Sequence, residues 1–145
     1  MVKEFIEHNN LIAEVVSYPT EMPALTLIKN KKFNPKSIVE LNLFLSKKND
    51  LIITIAPFGK KTEESVVEDI FGEELIEANE SECFEFTGYK KNFLPAVSIF
   101  GAKIIIDSSL EKQNFLMMPL STKSFLKIPL EEIITYNEDV SFEKL

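Results

Sequence analysis

The residues best suited to chemistry lie in one segment, residues 86–107, which leads from a turn through a loop into a short strand. The segment opens on Thr87-Gly88, a turn signal, and ends at Asp107, directly after the β-branched run 104–106. A strand of this kind can hold a loop in place, and the loop can present backbone N–H groups to a ligand. The segment is therefore either one wall of a pocket or a surface loop that enters a core strand. Both are common, and the residues alone leave both interpretations open.

Side chains that serve as nucleophiles or metal ligands are scarce. The chain has one cysteine, Cys83, and one histidine, His8. This excludes a disulfide within the chain and a Cys/His zinc site, and it leaves little from which to build a Ser or Cys triad. Cys83 stands among carboxylates, which raise the pKa of a thiol, and we expect it to be a small buried residue. Any hydrolysis is thus expected to proceed without a protein nucleophile, a metal or a cofactor.

The composition predicts one domain of ordinary size, residues 1–145. Hydrophobic residues make up 45% of the chain, with 12 Phe among them, which is enough for a substantial core. No apolar run approaches the ~20 residues that a membrane span needs. The first residues mix acids into the apolar pattern, unlike a signal peptide. We therefore expect a cytoplasmic location and no membrane partner.

The charge of the chain disfavours ordinary nucleic-acid recognition. The formal net charge is −7, and all 16 basic residues are lysine. Without arginine, bidentate recognition of phosphate or guanine is disfavoured. A local lysine patch can still attract phosphate, because that attraction depends on the local field.

Short helices and strands alternate along the chain. The spacing of apolar and turn residues predicts helices at 2–9, 24–33, 62–71 and 130–134, and strands at 11–16, 38–45, 51–56, 75–78, 103–107, 114–118 and 125–128. This order predicts an α/β chain of the α+β type, in which a mixed, largely antiparallel sheet packs with a few helices. The acidic residues 137–144 predict a frayed tail.

The ends of the helices carry recognisable signals. Thr62 is predicted to cap the third helix and Gly72 to end it as the C′ residue. Asn79 or Ser81 is expected to cap a short helical turn. Pro129 is predicted to occupy the first position of the last helix.

The strand at 38–45 is polar on one face only. Glu40 and Asn42 share that face, and Val39, Leu41 and Leu43 lie on the other. Such a strand is half exposed or lines a polar cavity. A surface carboxylate paired with a neighbouring lysine explains Glu40 equally well.

Taken in order, these pieces resemble the YbaK-like family of free-standing aminoacyl-tRNA editing domains, which are related to the insertion domain of bacterial prolyl-tRNA synthetase. The resemblance covers residues 11–139. Its most specific part is Thr87-Gly88-Tyr89, and the resemblance continues without a gap through Leu94-Pro95, Phe100-Gly101 and residues 104–110. The resemblance implies the α+β fold of that family.

At the site positions the sequence departs from the family. Glu40 stands where the family has a lysine that holds the substrate end of aminoacyl-tRNA, and this reversal of charge favours an amino group over a phosphate. The glycine and proline of the family's GxxxP loop fall on Asn92 and Ala96. A later Gly-Ser loop falls on Leu120-Ser121.

The resemblance implies hydrolysis of the ester that joins a wrong amino acid to tRNA. Loop N–H groups would polarise the ester carbonyl, and a substrate or ribose hydroxyl or a water would be the nucleophile. Glu40 would contact the α-amino group or hold a water, with Gly88 and Asn92 as the other catalytic candidates. The residues expected to bind substrate are Tyr18, Thr87, Lys90, Lys91, Ala96, Asp107, Ser121 and Thr122. Of these, the lysine pair is expected to contact the tRNA acceptor end.

Other hypotheses remain open. The substitutions at the site positions fit a non-catalytic module that binds tRNA, an amino acid or a protein partner, and the likeness could also be architectural only. Asp107 has a structural interpretation, because a carboxylate before Ser108-Ser109 often accepts N–H bonds in a turn. The editing hypothesis requires the bend at 87–96 and the strand of Glu40 to meet across one hollow that phenylalanines do not fill.

Overall fold

The computed structural model describes residues 1–145 as five α-helices and eight β-strands. The helices are α1 (Val2–His8), α2 (Ala24–Asn30), α3 (Glu64–Phe71), α4 (Glu80–Thr87) and α5 (Leu130–Thr135). The strands are β1 (Glu14–Ser17), β2 (Val39–Ser46), β3 (Leu51–Pro57), β4 (Leu75–Glu77), β5 (Ala102–Asp107), β6 (Phe115–Ser121), β7 (Ser124–Pro129) and β8 (Asp139–Glu143). None of the helices combines the length and the apolar character that crossing a membrane requires.

The strands divide between two sheets. The smaller sheet has the antiparallel order β1-β7-β6. The larger has the order β4-β2-β3-β5-β8, antiparallel from β4 to β3 and parallel from β3 to β8. A bridge between Ile38 and Met117 joins the two sheets just before β2 begins. The predicted α+β fold with largely antiparallel pairing is confirmed.

Three apolar clusters hold these layers together. The largest contains 24 buried residues and combines the inner faces of both sheets, for example Leu41 of β2 and Leu126 of β7. A second cluster packs α2 on the smaller sheet through Leu27. A third packs α3 on the larger sheet through Val67, against Phe44. Full burial of one such side chain contributes about 1.5–3 kcal/mol, so packing rather than helix propensity holds these short helices in place.

Two helix-end predictions are confirmed. Asn79 forms a capping box at α4: its side chain accepts a hydrogen bond from the Glu82 N–H at 2.8 Å, and the Glu82 carboxylate accepts one from the Asn79 N–H at 3.0 Å. Gly72 ends α3 in the left-handed conformation, with φ of 89°.

Three other predictions about helix ends were wrong. Thr62 does not cap α3: the N-cap is Glu63, and the Thr62 hydroxyl is buried without a hydrogen-bond partner. Pro129 is the N-cap of α5 rather than its first residue, because its ψ of 137° is extended. The helix predicted at 24–33 ends earlier, since Lys31 adopts a left-handed conformation with φ of 59°.

The C-terminal residues form a strand, so the prediction of a frayed tail was wrong. β8 pairs in parallel with β5, with Val140 opposite Ile104 and Phe142 opposite Ile106. Val140 and Phe142 pack against the main core, and this burial outweighs the repulsion between the flanking acids.

Candidate functional site

A cavity of about 400 Å³ opens between the start of β2, the loop after α4 and the turn that joins β6 to β7. This volume lies within the range of small-molecule sites. Five stretches of the chain line the cavity: Glu21, Met22, Pro23 and Ala24; Glu40, Leu41 and Asn42; Phe58; Asn92, Phe93 and Leu94; and Met118, Pro119, Ser121 and Thr122. The bend after α4 and the strand of Glu40 therefore meet across one open hollow.

Three consecutive residues of β2 line the cavity. Glu40 and Asn42 contribute polar side chains from one face of the strand, and Leu41 lines the cavity from the other. The Glu40 carboxylate also accepts a hydrogen bond from the backbone N–H of Gly59, with Oε1 and N 3.1 Å apart. On the edge of β2 away from β3, β4 pairs only with residues 44–46, so residues 39–43 have no ladder partner on that side.

The wall that carries Glu21 is fastened to the turn after β6. The Tyr18 N–H donates to the Lys123 carbonyl at 2.8 Å, and the Met22 N–H donates to the Thr122 carbonyl at 2.9 Å. These two hydrogen bonds fix the segment before α2 against the turn. The backbone on either side of Glu21 is thereby fixed beside the cavity, and the Glu21 side chain is exposed at its rim.

The turn after β6 is ordered by its own side chains. The hydroxyl oxygens of Ser121 and Ser124 lie 2.7 Å apart, and the Ser121 hydroxyl accepts the Lys123 N–H at 3.2 Å. The register of β6 shifts between Pro119 and Ser121. Irregularities of this kind redirect side chains, and here the residues around the shift line the cavity.

The loop after α4 is anchored where it leaves the helix. The Thr87 hydroxyl donates to the Cys83 carbonyl at 2.6 Å and accepts the Tyr89 N–H at 3.0 Å. Gly88 ends α4 with φ of 79°. These contacts set the direction in which the chain proceeds to Asn92.

The far part of the loop is anchored as well. The hydroxyl oxygens of Tyr89 and Ser98 lie 2.7 Å apart, and the Ala96 carbonyl accepts the Asn137 side-chain N–H at 2.8 Å. Leu94, Pro95 and Ala96 are buried, and Leu94 and Ala96 belong to the main core. The loop is therefore anchored on both sides of Asn92, whose own side chain is exposed, although it has no regular secondary structure.

The cavity is negatively charged. Glu21 and Glu40 are the charged side chains in its lining, and no lysine lines it. In a partly enclosed space, carboxylates attract a cation such as a protonated amino group and repel phosphate. Apolar side chains such as Met22, Leu94 and Met118 supply much of the remaining wall.

A second, open groove adjoins the cavity and contains the lysine pair. Its lining consists of Glu80, Ser81, Phe84, Lys90, Lys91, Asn92 and Phe93. Asn92 and Phe93 line both hollows. Lys91 forms an ion pair with Glu77, with Nζ and Oε2 3.3 Å apart.

The structure brings four of the predicted site residues together at the cavity and places the others elsewhere. Glu40, Asn92, Ser121 and Thr122 line the cavity, and Lys90 and Lys91 line the adjoining groove. Thr87, Gly88 and Ala96 belong to the loop anchors described above. Tyr18 lies behind the wall, edge-on to Phe125 with ring centroids 6.5 Å apart.

Asp107 lies outside the cavity lining and is bonded to protein groups. Its buried carboxylate accepts hydrogen bonds from the Ser109 hydroxyl, from the Leu145 N–H at 2.9 Å and from Lys60 Nζ at 3.1 Å. Burial raises the pKa of Asp107, but these three donors outweigh it and leave the pKa below its ordinary value. Asp107 is thus held by a hydroxyl, a lysine and the remote Leu145 N–H, and not by the N–H groups of the turn that the structural interpretation expected.

Sequence reasoning missed several lining residues. Glu21, Phe58 and Met118 were not predicted as site residues, yet each lines the cavity. Glu21 follows a proline-containing turn and Phe58 follows a strand, which gives no local sign of a shared site. Only the packing of the two sheets brings these three together.

Neither the thiol of Cys83 nor a cluster of metal ligands lies at the cavity. Cys83 is fully buried, and burial is the main cause that raises the pKa of its thiol; Glu77 and Glu82 raise it further, against the opposing effect of Lys91. No cluster of three or more His, Cys, Asp or Glu side chains is arranged to hold a metal ion.

Solved structures share this fold at low sequence identity. The hypothetical protein APE2540 gives a TM-score of 0.84 at 16% identity, over 98% of this chain and 97% of that one. A proposed trans-editing enzyme for prolyl tRNA synthetase gives 0.83 at 16%, over 99% and 93%. A proposed signal transduction protein from Marinobacter aquaeolei VT8 gives 0.66 at 14%, over 98% of this chain and 30% of that one. At these identities the likeness shows the fold alone.

A comparison with family models assigns the chain more specifically than its likeness to solved structures does. A comparison with curated proteins gives no match. The model of the aminoacyl-tRNA editing domain matches residues 24–136, which is well over half of the chain and includes most of the residues that line the cavity. The resemblance noted in the sequence is therefore confirmed, and the chain belongs to the family of aminoacyl-tRNA editing domains.

Proposed function

We propose that this chain, acting as a single domain in the cytoplasm, hydrolyses the ester bond of mischarged tRNA. The observation that carries the proposal is the open cavity that both Glu40 of β2 and Asn92 of the loop after α4 line, in a member of an editing family. The aminoacyl end of the tRNA is the substrate, and the cavity takes its amino acid part.

The charge of the cavity supports one orientation for that amino acid. An amino acid esterified to tRNA has lost its negative carboxylate and keeps its cationic α-amino group. Glu40, with Glu21 in the same lining, supplies the negative charge that attracts this cation. A hydrogen bond between charged groups contributes about 1.5–3 kcal/mol, enough to fix the direction of the bound ester.

The ester is cleaved without a protein nucleophile. Water attacks the carbonyl carbon, the carbonyl oxygen takes up negative charge, and the bond to the ribose oxygen breaks, which gives a free amino acid and a tRNA with a free hydroxyl. The Asn92 side-chain amide is the candidate donor to the developing oxyanion. The hydroxyls of Ser121 and Thr122 line the same space and complete its polar surface.

Incubation with a panel of mischarged tRNAs tests this proposal. We expect at least one neutral aminoacyl ester to be hydrolysed well above its uncatalysed rate. Esters of aspartate and glutamate should be the poorest substrates, because their side chains would meet Glu21 and Glu40. Hydrolysis of every ester at the uncatalysed rate would contradict the proposal.

The alternative is a non-catalytic module that binds tRNA, an amino acid or a protein partner. What favours it is the family resemblance, which sets Glu40 at the position of the family's lysine, together with a cavity that no lysine lines. The Glu40→Lys variant separates the two functions. A large gain in deacylation would indicate a site that had lost its activity, whereas a loss would indicate that the carboxylate serves the present reaction.

A further inference from the structure

Three aromatic side chains form a cluster at the surface beside the start of β5. They are Phe5 of α1, Phe100 and Tyr136, and the centroid of the Phe5 ring lies 6.1 Å from the centroid of each of the other two rings. Phe100 is 81% exposed, and Tyr136 is exposed as well. Single exposed aromatic residues are ordinary in folded proteins, so the surroundings of Phe100 must indicate any role.

The segment that carries Phe100 is anchored to the protein next to the exposed ring. Ile99 is buried in the main core. Ser98 and Gly101 both have positive φ, 71° and 79°. The left-handed conformation is unfavourable for serine, and the Ser98 hydroxyl oxygen lies 2.7 Å from that of Tyr89, which holds the residue in place. The exposure of Phe100 therefore follows from the fold around it.

The aromatic cluster is remote from the cavity. Phe100 precedes β5, whose first residue, Ala102, pairs with Leu51 at the start of β3. Glu40 pairs with Ala56, near the other end of β3. At a rise of about 3.3 Å per residue, Leu51 and Ala56 are roughly 17 Å apart. None of the three aromatic residues lines the cavity or the groove of the lysine pair.

Two open hollows flank Phe100, and both carry an excess of negative charge. The carboxylates that line them belong to Glu4, Glu7, Asp50, Glu73, Glu138 and Asp139. The N-terminal amine pairs with Glu4 at 2.7 Å, and Lys103 pairs with Asp139 at 3.2 Å. His8 also lines one hollow and is counted as neutral at pH 7. Glu7, Asp50, Glu73 and Glu138 form no ion pair.

This charge decides among the possible occupants of the surface. RNA and anionic lipids carry phosphates, which the carboxylates repel. A second copy joined through the same surface would bring like charges together. An arginine side chain fits both features, because a guanidinium group stacks on an aromatic ring and forms paired hydrogen bonds with a carboxylate. Lysine fits less well, since its ammonium group is a compact and strongly hydrated charge.

We propose that the aromatic cluster and its two flanking hollows bind an arginine-rich segment of a protein partner. One guanidinium group stacks on Phe100, and neighbouring arginines pair with Glu7 in one hollow and Glu138 in the other. Stacking at an exposed site contributes about 2- to 5-fold in affinity, and an exposed ion pair contributes about as much, so several such contacts must act together. The proposal does not depend on the function proposed for the cavity.

A tryptophan at position 100 can report this binding directly. The chain has no tryptophan, so the Phe100→Trp variant would have a single indole, placed between the two hollows. The probe is the peptide Arg-Val-Arg-Val-Arg, which presents its arginines on one side when extended. It should change the tryptophan emission in a saturable way. The Phe84→Trp variant is the matched control, because Phe84 is exposed beside the acids of α4 but lies outside both hollows.

The contributions of charge and stacking can be separated. A peptide with citrulline in place of arginine keeps the shape but loses the charge, and it should give no saturable response. A peptide with lysine keeps the charge, and it should bind about 2- to 5-fold more weakly because the stacking is lost. In the Phe100→Trp protein, adding Glu7→Gln and Glu138→Gln together should weaken binding of the arginine peptide several-fold. Adding Glu111→Gln, which lies outside both hollows, should not.

Several outcomes would overturn the proposal. These are the absence of a saturable response at millimolar arginine peptide, an equal response of the Phe84→Trp control, and equal affinity for the lysine peptide. A saturable response to a single-stranded oligonucleotide or to anionic vesicles would overturn it in favour of a phosphate ligand. Sedimentation that shows a dimer of the native protein, but not of Phe100→Ala, would overturn it in favour of a second copy.

The peptide experiment and the deacylation experiment are independent. The peptide assay contains no tRNA, so peptide binding without any deacylation would support this surface and contradict only the proposed hydrolase. Phe100→Ala should keep the native rate of deacylation, because Phe100 lies outside the cavity and the adjoining groove. A loss of deacylation in the folded Phe100→Ala variant would overturn the proposal, since the surface would then serve the substrate.

Discussion

The Glu40 carboxylate and the backbone N–H of Gly59 lie 3.1 Å apart and join β2 to the turn that follows β3. The hydrogen bond holds one carboxylate oxygen, Oε1, at the wall of the cavity. The second oxygen is left for a ligand. A carboxylate that is already oriented loses less entropy on binding, so in the proposed function this contact would prepare Glu40 to receive an ammonium group.

Replacement of Glu40 by glutamine should therefore weaken catalysis through the α-amino group. We expect kcat/KM for aminoacyl-tRNA to fall roughly 10- to 100-fold, the equivalent of one charge-assisted hydrogen bond. With N-acetylated aminoacyl-tRNA, which has no cation, native protein and Glu40→Gln should hydrolyse at similar rates. The exposed Glu111→Gln variant is the control. An equal loss on both substrates would instead indicate that Glu40 acts on the attacking water.

Gly88 and Gly72 form a matched pair of helix-ending residues. Both have positive φ, 79° and 89°, so alanine at either position should lower the free energy of unfolding by about 1–2 kcal/mol. A Cβ at position 88 would also meet the flexible end of Met1 at 2.9 Å, which can move aside. Urea unfolding measures the cost. Only Gly88→Ala should reduce deacylation, because only Gly88 begins the loop that carries Asn92. Equal activity of the two variants would show that the backbone bend at Gly88 does not affect the site.

Asp107 should stabilise the fold at neutral pH and lose this effect in acid. Its folded pKa lies below the ordinary value, so the unfolded chain takes up the proton first as the pH falls. The stabilisation is complete above the unfolded pKa of about 3.9 and is lost as the pH falls through the folded pKa. At pH 7, Asp107→Asn should cost about 1–3 kcal/mol, with a smaller difference from the native protein below about pH 4.

Thermal unfolding across this pH range measures the effect, with the exposed Asp69→Asn as control. The folded fraction of Asp107→Asn should keep its deacylation rate, because Asp107 lies outside the cavity lining. If Asp107→Asn had normal stability but could not hydrolyse the ester, Asp107 would be a substrate-binding residue after all.

Cys83 should be chemically inert in the folded protein. It is fully buried, and burial raises the pKa of its thiol. Alkylation by iodoacetamide should occur only as fast as the chain unfolds, and Cys83→Ala should retain kcat. Rapid alkylation of the native protein with loss of activity would contradict this expectation.

Much of the local structure could be predicted because it depends on neighbouring residues. The one-sided polarity of β2 follows from the alternation of side chains along a strand, and Glu40 and Asn42 both line the cavity, although much of the cavity wall is apolar. The cap at Asn79 and the end of α3 at Gly72 follow from hydrogen bonding and backbone sterics within one turn. The segment around Thr87-Gly88 carried the family resemblance.

The rest was decided by contacts between distant parts of the chain. Glu21 and Phe58 line the cavity only because the two sheets pack with their ends together, and β8 exists only because β5 offers a free edge to Val140 and Phe142. The residues around Asp107 are compatible both with a pocket wall and with a buried carboxylate that anchors the fold. The partners that distinguish these two roles, Lys60 and Leu145, are remote in sequence. Local patterns determine which face of an element is apolar, whereas tertiary packing determines which faces meet.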